Sequence, residues 1–199
     1  MHTTTGLAIR RNWNFNNKLL ISVGSIKIRI MVTTSIIIAA VIYAAYNAVA
    51  LAIFGVPESL SNTYYLYQDK CSKGWLFCAM MYLVVAFMMP AWITLSEGSN
   101  FQFLSFLAPA AIAFVGTAPK FKETTLENRI HSISAVIAAA CSLLWVALVT
   151  PYWWVILIWL GFIALASIFT SSYKTCLVYW LEHIAFGATF TSTIMFANL

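Results

Sequence analysis

Long, uninterrupted apolar runs constrain this chain more than any other feature, and "MVTTSIIIAAVIYAAYNAVALAIF" (31–54) is the clearest of them. A helix rises about 1.5 Å per residue, so about 20 mainly apolar residues carry it across the roughly 30 Å hydrocarbon core of a bilayer. Six segments qualify: 31–54, 75–95, 101–118, 130–149, 152–169 and 175–197. The expected fold class is therefore all-α, a polytopic transmembrane helix bundle of about six spans. Strands of a membrane barrel would be ~10-residue alternating stretches, which these runs are not.

Composition points the same way. Hydrophobic residues make up 62% of the chain and charged residues 9%, with a mean hydropathy of +0.85. A soluble domain carries about 25% charged residues and keeps much of its surface wet. The lipid bilayer is the expected partner for so much apolar surface. The net charge of +5 does not point to nucleic acid, because Lys and Arg form no dense cluster and sit at the ends of apolar segments.

The connections predict the topology. Between segments two and three, four and five, and five and six they are only "SEGSN", "TP" and "SSYK". Short links favour antiparallel neighbours, so an up-and-down bundle is expected. The one substantial loop is 55–74, whose Tyr64, Tyr65 and Tyr67 predict a stretch lying at the membrane interface. Trp75, Trp92, Trp153, Trp154 and Trp180 lie towards segment ends and are expected at headgroup level. Pro90 and Pro109 are expected to bend their segments, with neighbouring helices or Ser/Thr groups satisfying the freed carbonyls.

The first 30 residues read as a basic arm distinct from a six-span domain over 31–199. The arm carries five Lys/Arg, and the connections after segments one, three and five carry six. With the arm counted the positive-inside comparison is nearly a tie; without it the bias is clear. Two expectations follow: translation begins at Met31, or the arm lies on the membrane surface as an amphipathic helix. Its apolar piece is short and followed by more basic residues, unlike a cleavable signal.

Ionisable residues inside a span are costly and are functional candidates by default. The candidate buried polar site is Glu182, His183, His131, Asn47 and Tyr179. Glu182 shares a helical stripe with Thr175, Tyr179, Thr189 and Thr193, while His183, turned by about 100°, aligns with Cys176 and Gly187. His131 opens a narrow face of Ser134, Ala135, Ala138, Cys141, Ser142 and Trp145, and its position near a boundary lets it reach headgroups. Asn47, near Tyr43 and Tyr46, is expected to hydrogen-bond across to a neighbouring helix. Cys71, Cys78, Cys141 and Cys176 match no zinc spacing. Cys141 and Cys176 read as small packing residues, and a Cys71–Cys78 bridge is left open. No motif calls for a cofactor or a metal, and no residue is assigned as catalytic.

Three function classes fit. The favoured one is a structural or interaction protein, a bundle that forms a homo-oligomer or recruits a membrane-protein partner through 55–74. The second is a small transporter or channel using the Glu182 stripe. The third is an intramembrane metal-dependent hydrolase, because "ESLSNTYY" after the first span resembles the early Glu/Asn-containing segment of alkaline ceramidases. That resemblance implies a zinc site, yet no HxxxH occurs, no Asp lies in any span, and seven spans would be expected. Taken over 31–199, "GVPESLSNTYYLYQDK", "GWLF…MMPAWITLSE" and "HSISAVIAAACSLLWV" resemble the small six-helix membrane proteins encoded by gut Bacteroidales and their phages. The resemblance implies a bacterial inner (cytoplasmic) membrane and carries no activity with it.

Overall fold

The structure is a computed structural model and describes residues 4–170 and 175–199, with side chains from residue 26 onward. The arm's Arg10, Arg11 and Lys18 side chains and the 171–174 connection with Lys174 lie outside the described residues. Seven helices are described: α1 (Thr4–Phe54), α2 (Thr63–Cys71), α3 (Trp75–Leu95), α4 (Leu104–Thr117), α5 (Thr125–Val149), α6 (Trp154–Phe169) and α7 (Leu177–Ala197). The backbone of α1 passes from the arm into the first apolar segment without a break.

Among the described residues three helices are long and apolar enough to cross a membrane: Ile26–Phe54 within α1, α3 and α5. Between 28% and 39% of the residues in their apolar stretches are buried, so most of that surface faces outward. Ile133, Val136, Leu157, Phe162 and Leu165 are among the large apolar side chains left exposed in mid-helix. A soluble monomer rarely exposes contiguous apolar surface on this scale. α4 and α6 are apolar but shorter, with 14 and 16 residues. α7 has the length, 21 residues, but Glu182, His183 and a run of Thr and Ser dilute its apolar character. These polar residues are tolerated because α7 packs on four other helices, α1, α3, α5 and α6.

Contacts fix the alternation of direction. Late α3 meets late α7 and late α5, through Trp92 to Thr193 and Trp145 to Ser96. The end of α4 meets the start of α3 at Gly116 and Met81, and the start of α5 meets the end of α4 through His131 and Ala118. Arg29 and Ile30, early in the apolar part of α1, lie beside Ala197 and Asn198 at the end of α7. Successive long helices therefore run up and down. One expectation from link length fails: α6 follows α5 after a tight turn yet leans chiefly on α7. A short link limits the distance between two ends, but α5 already buries its narrow face against α4 and α7.

The sequence periodicity sets the buried faces. On α1, Val32, Ile36, Ala39, Tyr43, Asn47 and Ala50 recur at three- and four-residue steps and are all buried. On α5 the buried residues include His131, Ser134, Ala138, Cys141, Ser142 and Trp145, as the spacing predicts. Thr124 caps this helix by accepting the Glu127 N–H, in the T-x-x-E spacing of a capping box. Pro90 and Pro109 both sit inside helices. Ser35 of α1 donates to the Phe87 carbonyl at 2.7 Å, within the turn that Pro90 loosens.

Two aromatic expectations are corrected. Trp92 is fully buried and spends its N–H on protein in place of headgroups, since its ring stacks on Trp145 and its N–H reaches Thr193. Tyr64 and Tyr67 face inward and not outward, because α2 turns them into the end of the bundle, where both are buried. Tyr67 packs edge-on to Phe54 at 5.0 Å. Gly74, which closes this turn, has no room for a side chain: an added Cβ would lie 2.8 Å from the Tyr64 ring. The four cysteines are free thiols, so Cys71 and Cys78 are not bridged.

Candidate functional site

α7 carries Glu182 and His183 side by side, and its 100° step sends them to different neighbours. Glu182 Oε2 accepts the Leu60 backbone N–H at 2.6 Å. In return the Tyr179 N–H, an unpaired donor of the first turn of α7, reaches the Glu58 carbonyl at 3.3 Å. The segment before α2 and the start of α7 thus clasp each other. The Glu182 carboxyl is also an electrostatic neighbour of the Tyr43 and Tyr179 hydroxyls, and it borders a small apolar cavity of about 40 Å³ lined by Met81, Ile112 and Val115.

His131 grips the next residue along. Its Nδ1 lies 3.0 Å from the Ala118 carbonyl and its Nε2 lies 2.9 Å from Ser61 Oγ. A carbonyl can only accept, so Nδ1 carries the proton and, in a neutral ring, Nε2 accepts from the Ser61 hydroxyl. Phe121 stacks on the imidazole, centroids 4.4 Å apart. His131 therefore turns inward and does not reach headgroups, because both connections at this end fold over it. Lys122 adds a bond from Nζ to Asn62 Oδ1 at 2.7 Å, and the Tyr46 hydroxyl meets that of Thr63. Residues 58–63 are held by α1, α5, α7 and the link before α5, forming a cap over one end of the bundle.

The remaining candidates meet at the seam of α1 and α7. Tyr179 is buried and its ring lies 4.1 Å from that of His183. Tyr43 stacks on Phe186 at 4.5 Å and tilts against His183 at 5.5 Å. His183 Nδ1 is 2.8 Å from the Tyr179 carbonyl. Asn47 makes no interhelical bond: its Nδ2 donates to the Tyr43 carbonyl at 2.9 Å within α1. Asn47 lines a cavity of about 460 Å³ where α1, α6 and α7 meet. Four buried polar atoms here lack a hydrogen-bond partner: Tyr43 Oη, Asn47 Oδ1, Tyr179 Oη and His183 Nε2.

Of the five residues expected from the sequence, His183, Asn47 and Tyr179 thus gather at the seam of α1 and α7, while Glu182 and His131 meet neighbouring residues of the cap. Tyr43 is as central as any of them, and its four-residue step from Asn47 was the available signal. Leu60 and Ser61 gave none, being ordinary residues of a loop. Among the described residues no three His, Cys, Asp or Glu side chains gather as a metal ion would require. Comparison of the chain with protein-family models, curated proteins and solved structures finds no match to any of them.

Proposed function

We propose that this chain is a six-span protein of a bacterial inner membrane that works as an interaction module, recruiting a membrane-protein partner through the cap formed by 55–74. The observation that carries this reading is the pairing of Glu182 with Leu60 and His131 with Ser61. The two ionisable residues best suited to chemistry are engaged in holding adjacent residues of one loop. Buried polar groups satisfied in this way order a surface segment into a single shape. The rim left outside, Gln68 to Lys73, is exposed and polar, as a pre-shaped recognition edge would be.

Six spans require α4, α6 and α7 to cross alongside the three long helices. Short apolar helices cross where the bilayer thins locally or flanking residues reach outward. With the arm set aside, as a start at Met31 would have it, the basic residues Lys70, Lys73, Lys120, Lys122 and Arg129 gather at the cap end, which favours placing it in the cytoplasm. A membrane-impermeant maleimide should then label the exposed Cys71 from the cytoplasmic side, and a Glu97→Cys variant from the opposite side.

Transport would need Glu182 free to exchange a proton or ion; its bond to Leu60 and the small apolar cavity beside it support anchoring instead. The test is photo-crosslinking in cells from residues placed at Gln68, Asp69 and Lys73. A discrete heteromeric adduct, weakened by Glu182→Ala and retained in Glu182→Gln, is expected. Adducts only between copies would replace the partner with a homo-oligomer, and no adduct from a folded, inserted chain would end the reading.

A further inference from the structure

The two ends of the bundle compete for the cytoplasm. At one end is the cap, held to the start of α7 through Leu60 and Glu182. At the other, Arg29 and Ile30 of α1 lie beside Ala197 and Asn198, where α7 finishes. The backbone of α1 is helical without interruption from Thr4 to Phe54, so the arm is attached at the end opposite the cap. This arrangement divides the 11 Lys and Arg almost evenly. Arg10, Arg11, Lys18, Lys27 and Arg29 belong to the arm, and the other six to connections at the cap end, Lys174 among them. The links at 96–100 and 150–151 carry none.

Orientation follows Lys and Arg in short connections and within about 20 residues of a span, with Asp and Glu counting little. Lys27 and Arg29 flank the first span directly, and Arg10 and Arg11 stand at the edge of that window. The local signals oppose each other. Across the first span the arm's five basic residues outweigh Lys70 and Lys73 and draw the arm inward. Across the later spans Lys120, Lys122, Arg129 and Lys174 oppose links without a basic residue and draw the cap inward. Because α1 packs on both α3 and α7, one bundle satisfies only one of these preferences. The aromatic residues do not break the tie: indoles suited to headgroups are exposed at both ends, Trp75 at the cap and Trp153 and Trp154 at the other.

We propose that the full chain inserts in both orientations, presenting the cap on either face of the membrane, and that the charge of the arm sets the ratio. Dual insertion rests on the six-span reading, in which the cap and the arm lie on opposite sides of the bilayer. A chain begun at Met31 loses five positive charges from one side and inserts with the cap inward. The cytoplasmic placement of the cap belongs to that shorter chain. Loss of the arm removes no buried side chain from 26–30, all of which are exposed. The arm is therefore an orientation control added to a bundle that packs without those five residues, and it decides which side of the membrane meets the cap's partner.

The test labels the full chain, in a Cys78→Ser background, with a membrane-impermeant maleimide in bacterial spheroplasts before and after permeabilisation. Cys71 is exposed on the cap, and Cys71→Ser with Glu97→Cys moves the thiol to the opposite end, where Glu97 is exposed. Each thiol should react from outside in part of the population, in complementary fractions, with neither orientation rarer than about one molecule in ten. Arg10→Gln, Arg11→Gln, Lys18→Gln, Lys27→Gln and Arg29→Gln together should leave Cys71 reactive only after permeabilisation. Lys70→Gln, Lys73→Gln and Arg129→Gln together, all at exposed positions, should instead open Cys71 to the outside reagent in nearly every molecule. A single orientation of the full chain, or an unchanged ratio in both charge variants, would overturn the proposal. Fractions at the two thiols that rise together across the variants, instead of exchanging, would show that α3 does not separate them and would remove the six-span reading as well.

Discussion

The indole of Trp92 lies flat on that of Trp145, ring centroids 4.5 Å apart and planes 6° from parallel, joining α3 to α5. Their N–H groups leave the stack for different hydroxyls, Trp92 to Thr193 at 3.1 Å and Trp145 to Ser96 at 2.7 Å. Both rings are fully buried, so this is a three-helix junction at the end opposite the cap. Trp145→Ala is expected to destabilise the bundle by about 3–5 kcal/mol. Ser96→Ala keeps the stack but strands a buried N–H, and should cost about 1–3 kcal/mol. Reversible unfolding in mixed micelles of increasing denaturing-detergent fraction measures both.

At the cap, the Leu60 N–H has Glu182 as its acceptor. Glu182→Gln retains a side-chain carbonyl of the same reach, whereas Glu182→Ala leaves the donor unpaired. The alanine variant is therefore expected to lose about 1–3 kcal/mol and to become cleavable by protease around residues 57–62. The glutamine variant should stay resistant. Equal protection of wild type and Glu182→Ala would show that the clasp does not hold the loop.

The fold was legible where one physical rule acted alone. The narrow face of α5 could be read from its spacing because a single periodicity places every small or polar residue inward. The same rule separated Glu182 from His183, although it could not say that one would meet a loop and the other a cavity. Failures arose where tertiary packing outweighs local pattern. Trp92 sits near a helix end, where indoles anchor to headgroups, yet Trp145 and Thr193 draw it inward. α2 is too short and polar to show an apolar period, and it forms because Tyr64 and Tyr67 bury against the bundle. Asn47 was expected to bond to a neighbouring helix, but no sequence pattern reveals that its amide turns back to the Tyr43 carbonyl of its own helix.

The contacts of His131 and Lys122 with the cap differ in burial, and this should separate their effects. His131 is 5% exposed and bonds through both ring nitrogens. His131→Phe keeps the stack on Phe121 while stranding Ser61 Oγ and the Ala118 carbonyl, for an expected loss of about 1–3 kcal/mol. Lys122 pairs with Glu58 at 3.5 Å, but the two side chains are 48% and 69% exposed. Such pairs contribute about 0–1 kcal/mol and weaken with salt. Lys122→Ala should thus change unfolding little, and 1 M salt should shift wild type no further than that variant.

α6 buries Val155, Ile163 and Ser167, and it also lays the Trp159 ring on a glycine of α7. Trp159 Nε1 donates to Thr191 at 3.1 Å, and its six-membered ring covers Gly187, where an added Cβ would lie 2.6 Å from three ring atoms. That distance is a clash, and the clashing atoms belong to an indole tethered at its nitrogen rather than to a flexible chain end. Gly187→Ala should therefore push α6 away from α7, with a loss of about 1–3 kcal/mol. Trp159→Ala removes both the ring and the obstruction, so adding Gly187→Ala to it should cost almost nothing. The two substitutions are expected to be non-additive by most of the Gly187→Ala effect, a coupling that a double-mutant cycle reads directly. Additive losses would mean that the glycine is needed for the backbone of α7 and not for the approach of Trp159.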